Sequence, residues 1–107
     1  MWKKIKDFED YEVSDKGEIR NSEGLILSQR LSRNGYLRVY LMSKGKYKTV
    51  EIHRVVAQAF LGDIYKKHVH HKNGDTTDNN VKTLQVVSKK EHRILHREME
   101  EAYMYYI

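Results

Sequence analysis

Alternating apolar and polar residues predict short β-strands through the first half of the chain. The clearest alternation lies in residues 36–42, just after an Asn-Gly pair that is a strong signal for a two-residue hairpin turn. Apolar residues take every second position and share one face, whereas Tyr36, Arg38 and Tyr40 share the other. Further strands are predicted at residues 11–14, 18–20, 25–28 and 47–52. The result is a small antiparallel sheet with an apolar side and a basic, aromatic side.

The second half of the chain changes to a mixed pattern of helix and strand. Residues 53–61 have the apolar period of a helix, and Gly62 is a natural stop just beyond it. From residue 68 onward the pattern predicts a strand, a loop, a strand and a helix, at residues 68–70, 72–80, 84–87 and about 89–103. Ser88 and Glu91 are spaced as a capping box at the start of the last helix.

Composition limits the kinds of protein that this chain can be. It has 107 residues, 39% hydrophobic and 33% charged, which fits one domain or two small modules with a small core. No apolar run approaches the ~20 residues that cross a bilayer, and the N-terminus lacks the apolar stretch of a signal peptide, so no membrane partner is expected. The absence of cysteine excludes disulfides, thiolate zinc sites and cysteine nucleophiles.

Positive charge is concentrated in the middle of the chain. The net charge is +5, yet residues 28–72 alone carry ten basic and two acidic side chains. Such a block favours a polyanionic partner, because each neutralised phosphate releases counterions, although a solvated strand face is the alternative. The candidate phosphate contacts are Arg30, Arg33, Arg38, Lys44, Lys46, Lys48, Arg54 and Lys72. For Arg54, a salt bridge is an equal alternative.

Five of the six histidines fall between residues 68 and 96. His92 and His96 lie four apart on the predicted last helix, so they share a face and can chelate one metal ion. A strand-loop-strand-helix unit can bring the His70-His71 pair against that face. Three imidazoles with open positions would form a catalytic metal site, and the fourth histidine would be free to take a proton near neutral pH. Because His68 and His70 share one side of a regular strand, His68 is an alternative upstream ligand.

Several segments together resemble a known enzyme family. These segments are Tyr-Glu-Val-Ser at 11–14, Gly-Tyr at 35–36, His-Arg-Val-Val-Ala-Gln-Ala-Phe at 53–60, Val-His-His-Lys-Asn-Gly-Asp at 69–75, Asp-Asn at 78–79, Glu-His at 91–92 and His96. Together they are similar to HNH nucleases and to the NUMOD-type module that precedes the HNH core in phage and intron homing endonucleases. The resemblance implies an α+β fold, with a small N-terminal antiparallel sheet plus helix at residues 1–62, which would bind DNA, and a ββα-metal (HNH, His-Me finger) core at residues 63–107.

The resemblance also implies a divalent-metal-dependent endonuclease that hydrolyses phosphodiester bonds in double-stranded DNA. His70, His92 and His96 match metal ligands, and His71 matches the general base that activates water. One divalent ion is implied, with Mg²⁺ expected and Mn²⁺, Ni²⁺ or Zn²⁺ as alternatives. The ion would stabilise the leaving 3′ oxygen, which gives 5′-phosphate and 3′-hydroxyl ends. The family further implies a phage or mobile-element protein that acts in the cytoplasm of a bacterial host.

One position departs from the family motif. In the family, the side-chain carbonyl of the middle Asn orients the general base, and here Thr83 takes that position. A threonine hydroxyl accepts the same kind of hydrogen bond but reaches less far, and Asn79 or Asn80 can substitute for it. The alternatives are a DNA-binding module with a decayed nuclease centre, or histidines that hold a structural zinc ion. The aromatic tail at residues 102–107 either packs on the domain or forms a homodimer contact.

Overall fold

The computed structural model describes residues 1–90, which form three small antiparallel sheets packed on helix α1. The first sheet contains β1 (Trp2–Ile5), β2 (Phe8–Ser14) and β3 (Ile19–Asn21), in that order. The sequence pattern missed β1, because its pairing with β2 shifts register between Lys4 and Ile5. Such a shift breaks the two-residue period by which a strand is recognised.

The second sheet contains β4 (Arg30–Leu31), β5 (Leu37–Ser43) and β6 (Lys46–Glu51), again in chain order. The strands predicted as one sheet therefore form two. The predicted strand at residues 25–28 is replaced by an isolated bridge between Ile26 and Arg20. Leu25 and Ile26 are exposed and, within residues 25–28, Leu27 alone packs against the core, so little apolar burial supports a longer strand.

Helix α1 (Ile52–Phe60) begins directly after β6 and ends just before Gly62, close to the predicted limits. It contacts strands of all three sheets and buries its apolar face against them. The buried core comprises Ile5, Val13, Ile19, Val39, Leu41, Ile52, Val56, Ala57, Ile64, Val69 and Leu84. Residues on both sides of the predicted boundary near residue 62 thus contribute to one core.

The third sheet pairs β7 (His68–His71) with β8 (Leu84–Val87), with His71 opposite Leu84. The pattern predicted both strands to within one residue. A polar loop joins them and ends in a short 3-10 helix, Val81–Thr83. Residues 89 and 90 are helical, whereas the rest of the predicted last helix lies outside the described residues. Within residues 1–90, no helix has the length and apolar character needed to span a membrane.

Candidate active site

His71 is the last residue of β7 and is buried, with only 5% of its surface exposed. Its Nε2 lies 2.9 Å from Oδ1 of Asn79, which is buried as well. An amide oxygen can only accept a hydrogen bond, so in the neutral ring Nε2 carries the hydrogen. The lone pair then resides on Nδ1. Asn79 thereby selects the tautomer in which Nδ1 is the atom that can accept a proton.

Polar side chains of the loop between β7 and β8 hold that loop in shape. Asn73 Nδ2 donates to Asp78 Oδ2 at 2.9 Å. The Asp75 carboxylate accepts from the Thr77 hydroxyl at 2.6 Å and from its backbone N–H at 2.9 Å. These two hydrogen bonds lower the pKa of the Asp75 carboxyl. Local side-chain contacts of this kind fix a loop without regular secondary structure, and here they present Asn79 to the end of β7.

Thr83 supports the same loop but does not bond the His71 ring, which is the role of the motif asparagine. Its hydroxyl lies 2.9 Å from the carbonyl oxygen of Asp78 and 2.8 Å from that of Asn80, to which it donates. The side chain that bonds the His71 ring is Asn79, one of the two substitutes expected from the sequence. The departure at Thr83 therefore coexists with an amide that orients the imidazole.

Residues near the N-terminus brace this loop from the other side. Gly17 has φ +88°, and a Cβ at this position would lie 3.0 Å from both Cβ and the carbonyl oxygen of Asn79. The backbone N–H of Val81 donates to the carbonyl of Asp15 at 2.8 Å. Gln29 Nε2 in turn donates to the carbonyl of Gly17 at 2.7 Å. The turn at residues 15–17 thus packs directly on the residue that bonds His71, and only glycine fits this approach.

The rings of Tyr36, His53 and His71 contact one another. The Tyr36 and His53 rings stack, with centroids 4.9 Å apart and an interplanar angle of 27°. The His53 ring contacts that of His71 at 5.1 Å and 45°. The Tyr36 ring lies 5.9 Å from that of His71, tilted by 42°. These distances fall in the range of favourable aromatic contacts.

His53 is uncharged at neutral pH. Burial is the main cause that lowers its pKa from 6.5 to about 4, and electrostatic repulsion between a charged His53 and its neighbours His71 and Arg54 lowers it further. Its Nδ1 is buried and has no hydrogen-bond partner. His53 is therefore packed mainly by its ring faces, without a hydrogen bond from this nitrogen.

Sequence reasoning missed the roles of Tyr36 and His53 at this site. The alternation placed Tyr36 on the outer face with Arg38 and Tyr40, but β5 begins at Leu37 and the Tyr36 ring turns inward. His53 lies in the segment predicted to be helical, and its ring is buried. The available signal was that both positions belong to the segments that carry the family resemblance.

Of the predicted metal ligands, only His70 lies within the described residues. It is half-buried and stands opposite Gln85 in the β7–β8 pair, one residue before His71. His68, the alternative upstream ligand, stands opposite Val87. His92 and His96 lie outside the described residues. Among residues 1–90, no three His, Cys, Asp or Glu side chains are arranged to hold a metal ion.

The predicted phosphate contacts separate into distinct surfaces. Arg30 and Arg38 are exposed and stand opposite each other across β4 and β5. The Arg30 guanidinium lies over the Tyr40 ring, 5.6 Å from its centroid. Arg33 is exposed in the turn that joins these strands. Because side chains at positions 38 and 40 project from the same side of β5, the two strands carry a basic, aromatic outer face.

The lysines of the β5–β6 hairpin lie elsewhere. Lys44 is in the two-residue turn, with φ 52°, and Lys46 and Lys48 are exposed on the opposite side of the sheet from Arg38. Lys72 is exposed directly after His71. Arg54 instead donates to the carbonyl oxygens of Lys67 and Ile64, at 3.1 and 3.4 Å. Arg54 therefore fixes the segment before β7, which is a structural contact other than the salt bridge considered for it.

Comparison with known proteins matches both halves of the chain to families. A model described as the NUMOD4 motif matches residues 1–42, and one described as HNH endonuclease matches residues 50–94. The first match contains Gly17 and Tyr36, and the second contains His53, His71 and Asn79. The residues gathered around the His71 ring thus come from both matched segments.

Curated relatives align with most of this chain. The chain is 40% identical over 86 residues to the DNA endonuclease I-HmuI of Bacillus phage SP01, covering 77% of this chain and 48% of that protein. It is 38% identical over 90 residues to the uncharacterized HNH endonuclease L245 of Acanthamoeba polyphaga mimivirus, covering 83% of this chain and 27% of that protein. The chain therefore spans about half or less of the length of these curated relatives.

A solved structure matches nearly the whole chain. It is titled "DNA binding and cleavage by the HNH homing endonuclease I-HmuI", and it matches with a TM-score of 0.83 and 33% identity, covering 95% of this chain and 59% of that one. This match confirms the predicted α+β fold with a ββα-metal core. With both segments matched and the fold shared, the chain carries an HNH endonuclease domain at residues 50–94 and a NUMOD4 motif ahead of it at residues 1–42.

Proposed function

We propose that this protein is a divalent-metal-dependent endonuclease that hydrolyses phosphodiester bonds in double-stranded DNA, with His71 as the general base. The observation that carries the proposal is the contact between His71 Nε2 and Asn79 Oδ1, at 2.9 Å. This contact leaves Nδ1 unprotonated in the neutral ring, which is the state that a general base needs. The match of residues 50–94 to the HNH endonuclease model supports the same chemistry.

In the proposed reaction, His71 Nδ1 takes a proton from a water molecule whose oxygen attacks the phosphorus. The bond from phosphorus to the 3′ oxygen breaks, and that oxygen takes a proton from solvent. The products are a 5′-phosphate and a 3′-hydroxyl end. Asn79 keeps the imidazole in the required tautomer. When the ring becomes charged, Asn79 Oδ1 continues to accept a hydrogen bond from the Nε2–H group.

We assign His70, His92 and His96 as ligands of one divalent cation. The chemistry supplied by a bound cation is polarisation of the scissile phosphate and stabilisation of negative charge on the leaving oxygen. Imidazoles suit Zn²⁺ and Ni²⁺ well, Mn²⁺ is a further alternative, and Mg²⁺ is the abundant ion expected in a cell. Neighbours on a regular strand point to opposite faces, so a bend at the end of β7 is needed for His70 and His71 to face one phosphate.

DNA is expected to bind along the exposed basic residues. Arg30, Arg33 and Arg38 form one group beside Tyr40, and Lys44, Lys46 and Lys48 form another at the hairpin end. Lys72 lies next to His71 and would contact a phosphate close to the cleavage site. A bacterial cell that hosts a phage or mobile element is the expected setting.

The test is conversion of supercoiled plasmid by the purified wild type and by His71→Ala, each in EDTA, Mg²⁺, Mn²⁺, Ni²⁺ and Zn²⁺. We expect metal-dependent cleavage by the wild type and a loss of at least about 10²-fold in the variant, because a general base contributes about 10²–10⁴-fold. Open circles alone would indicate nicking, and early linear product would indicate paired cutting by a homodimer.

Three results would overturn the proposal. Cleavage by a folded His71→Ala at the wild-type rate would remove His71 from the role of base. Retardation of plasmid on a gel without cleavage in any metal would favour the binding module with a decayed nuclease centre. Unfolding on addition of EDTA would indicate a structural zinc site instead.

A further inference from the structure

We propose that Tyr36 and His53 are positioning residues for His71, whose stacked rings hold the His71 imidazole in the plane in which its Nε2 reaches Asn79. This inference rests on the proposed function, because it concerns the same base. It assigns part of the active-site wall to Tyr36, which lies in the segment matched by the NUMOD4 motif.

The first argument is geometric. The hydrogen bond to Asn79 fixes one atom of the His71 ring, but a single hydrogen bond leaves the ring able to turn about the line that joins the two atoms. Contacts with the ring face remove this freedom. Those contacts come from His53 at 5.1 Å and from Tyr36 at 5.9 Å, measured between ring centroids. The edge and the face of the imidazole are thus held by different residues.

The second argument is that the two rings that contact His71, those of His53 and Tyr36, are themselves held in place. His53 is the second residue of α1, is 6% exposed, and sits in the core-facing part of that helix. Tyr36 follows a turn whose Gly35 carbonyl accepts from the Thr76 hydroxyl at 2.5 Å. Thr76 belongs to the same loop as Asn79, so the turn that presents Tyr36 and the loop that presents Asn79 are bonded to each other.

The third argument is that the His53 ring, and not its charge, is what reaches His71. His53 is neutral near pH 7, and its Nδ1 has no hydrogen-bond partner. A phenylalanine ring would preserve the face contact and would bury no unpartnered nitrogen. A leucine would fill much of the volume but would present no flat face. These two substitutions therefore separate ring positioning from simple packing.

The test compares His53→Leu and Tyr36→Leu with His53→Phe and Tyr36→Phe in the full chain. Plasmid cleavage gives kcat and KM for DNA. We expect each leucine variant to lose about 10- to 100-fold in kcat with KM changed less than about twofold, since a small misplacement of a catalytic group costs up to about 10²-fold. The phenylalanine variants should stay within about threefold of the wild type. Tyr65→Leu is the matched control, because Tyr65 is 73% exposed.

A second readout does not depend on cleavage. Long-range ¹H–¹⁵N spectra of the His71 ring, recorded without DNA or metal, should show one tautomer with hydrogen on Nε2 in the wild type and in both phenylalanine variants. In the leucine variants we expect a mixture of tautomers. If the wild type does not cleave DNA in any metal, the proposed function fails, and these spectra still decide whether the rings position His71.

Three outcomes would overturn the inference. One is a folded His53→Leu with wild-type kcat and an unchanged His71 tautomer. Another is an equal loss of kcat in the leucine and phenylalanine variants. A third is a loss confined to KM, which would place the two rings in DNA binding. Circular dichroism checks folding, and Tyr36→Leu, at a half-buried position, carries the test if His53→Leu does not fold.

Discussion

The strand pairs β5–β6 and β7–β8 are both antiparallel, but their connections are held in different ways. Lys44 and Gly45 join β5 to β6 in a two-residue turn that fixes the register by its own positive φ angles. The connection from β7 to β8 is a polar loop held by its side chains and braced by residues far away in the chain, Gly17 among them. A local turn suits an exposed basic hairpin, whereas the braced loop can place a buried asparagine on a histidine.

Asn79→Leu is expected to give the largest effect, because it removes the atom that sets the His71 tautomer. Cleavage should fall by about 10²–10⁴-fold, the range of a general base that is lost or misoriented. The matched control is Thr83→Val, which removes the hydroxyl bonded to the loop carbonyls but leaves Asn79 in place. Its loss should stay within about tenfold. The reverse ranking of the two variants, in plasmid-cleavage rates, would return the orienting role to Thr83.

Gly17→Ala tests the bracing of the loop, and Gly24→Ala is its matched control. Gly17 has φ +88° and Gly24 has φ +86°, but a Cβ at Gly24 would have no atom within 4 Å. The control should lose about 1 kcal/mol for the left-handed backbone alone. Gly17→Ala should lose about 2–3 kcal/mol and also cleave more slowly, since its Cβ would displace Asn79. Equal denaturation midpoints for the two variants would show that the close packing of Gly17 on Asn79 does not contribute to stability.

The same contrast explains which parts of the molecule could be predicted from sequence. The strand at 36–42, helix α1 and the β7–β8 pair follow from local periodicity and turn residues, so they were predicted closely. The family resemblance singled out His71 as the expected base and Asn79 as one substitute for the motif asparagine, and the structure places these two side chains in contact. Neither the stacking of Tyr36 and His53 nor the packing of Gly17 on Asn79 could be predicted, because both join residues distant in the chain whose meeting depends on the whole fold.

Lowering the pH tests how burial of His53 affects the stability of the protein. The pKa of His53 is about 4 in the folded protein and 6.5 as a free side chain, so between these values the unfolded chain binds more protons. The stability that neutral His53 contributes is complete above pH 6.5 and is lost as pH falls toward 4. The free energy of unfolding should therefore drop by about 2 kcal/mol from pH 7 to pH 5 on account of this group. Urea denaturation of the wild type and of His53→Phe at both pH values measures the difference, and parallel decreases would contradict it.

Substitutions on the basic outer face of β4 and β5 should each weaken DNA binding slightly and additively, unlike substitutions in the braced loop. If Arg30 and Arg38 each neutralise one phosphate, then each alanine substitution should reduce the slope of log affinity against log salt by about 0.9. Arg54→Ala should leave the slope unchanged but lower the melting temperature, because its guanidinium is bonded to the carbonyls of Lys67 and Ile64. DNA retardation at several salt concentrations gives the slopes, using His71→Ala as the background to prevent cleavage. A slope that falls for Arg54→Ala and not for Arg38→Ala would move the DNA contact from the outer sheet face to the helix.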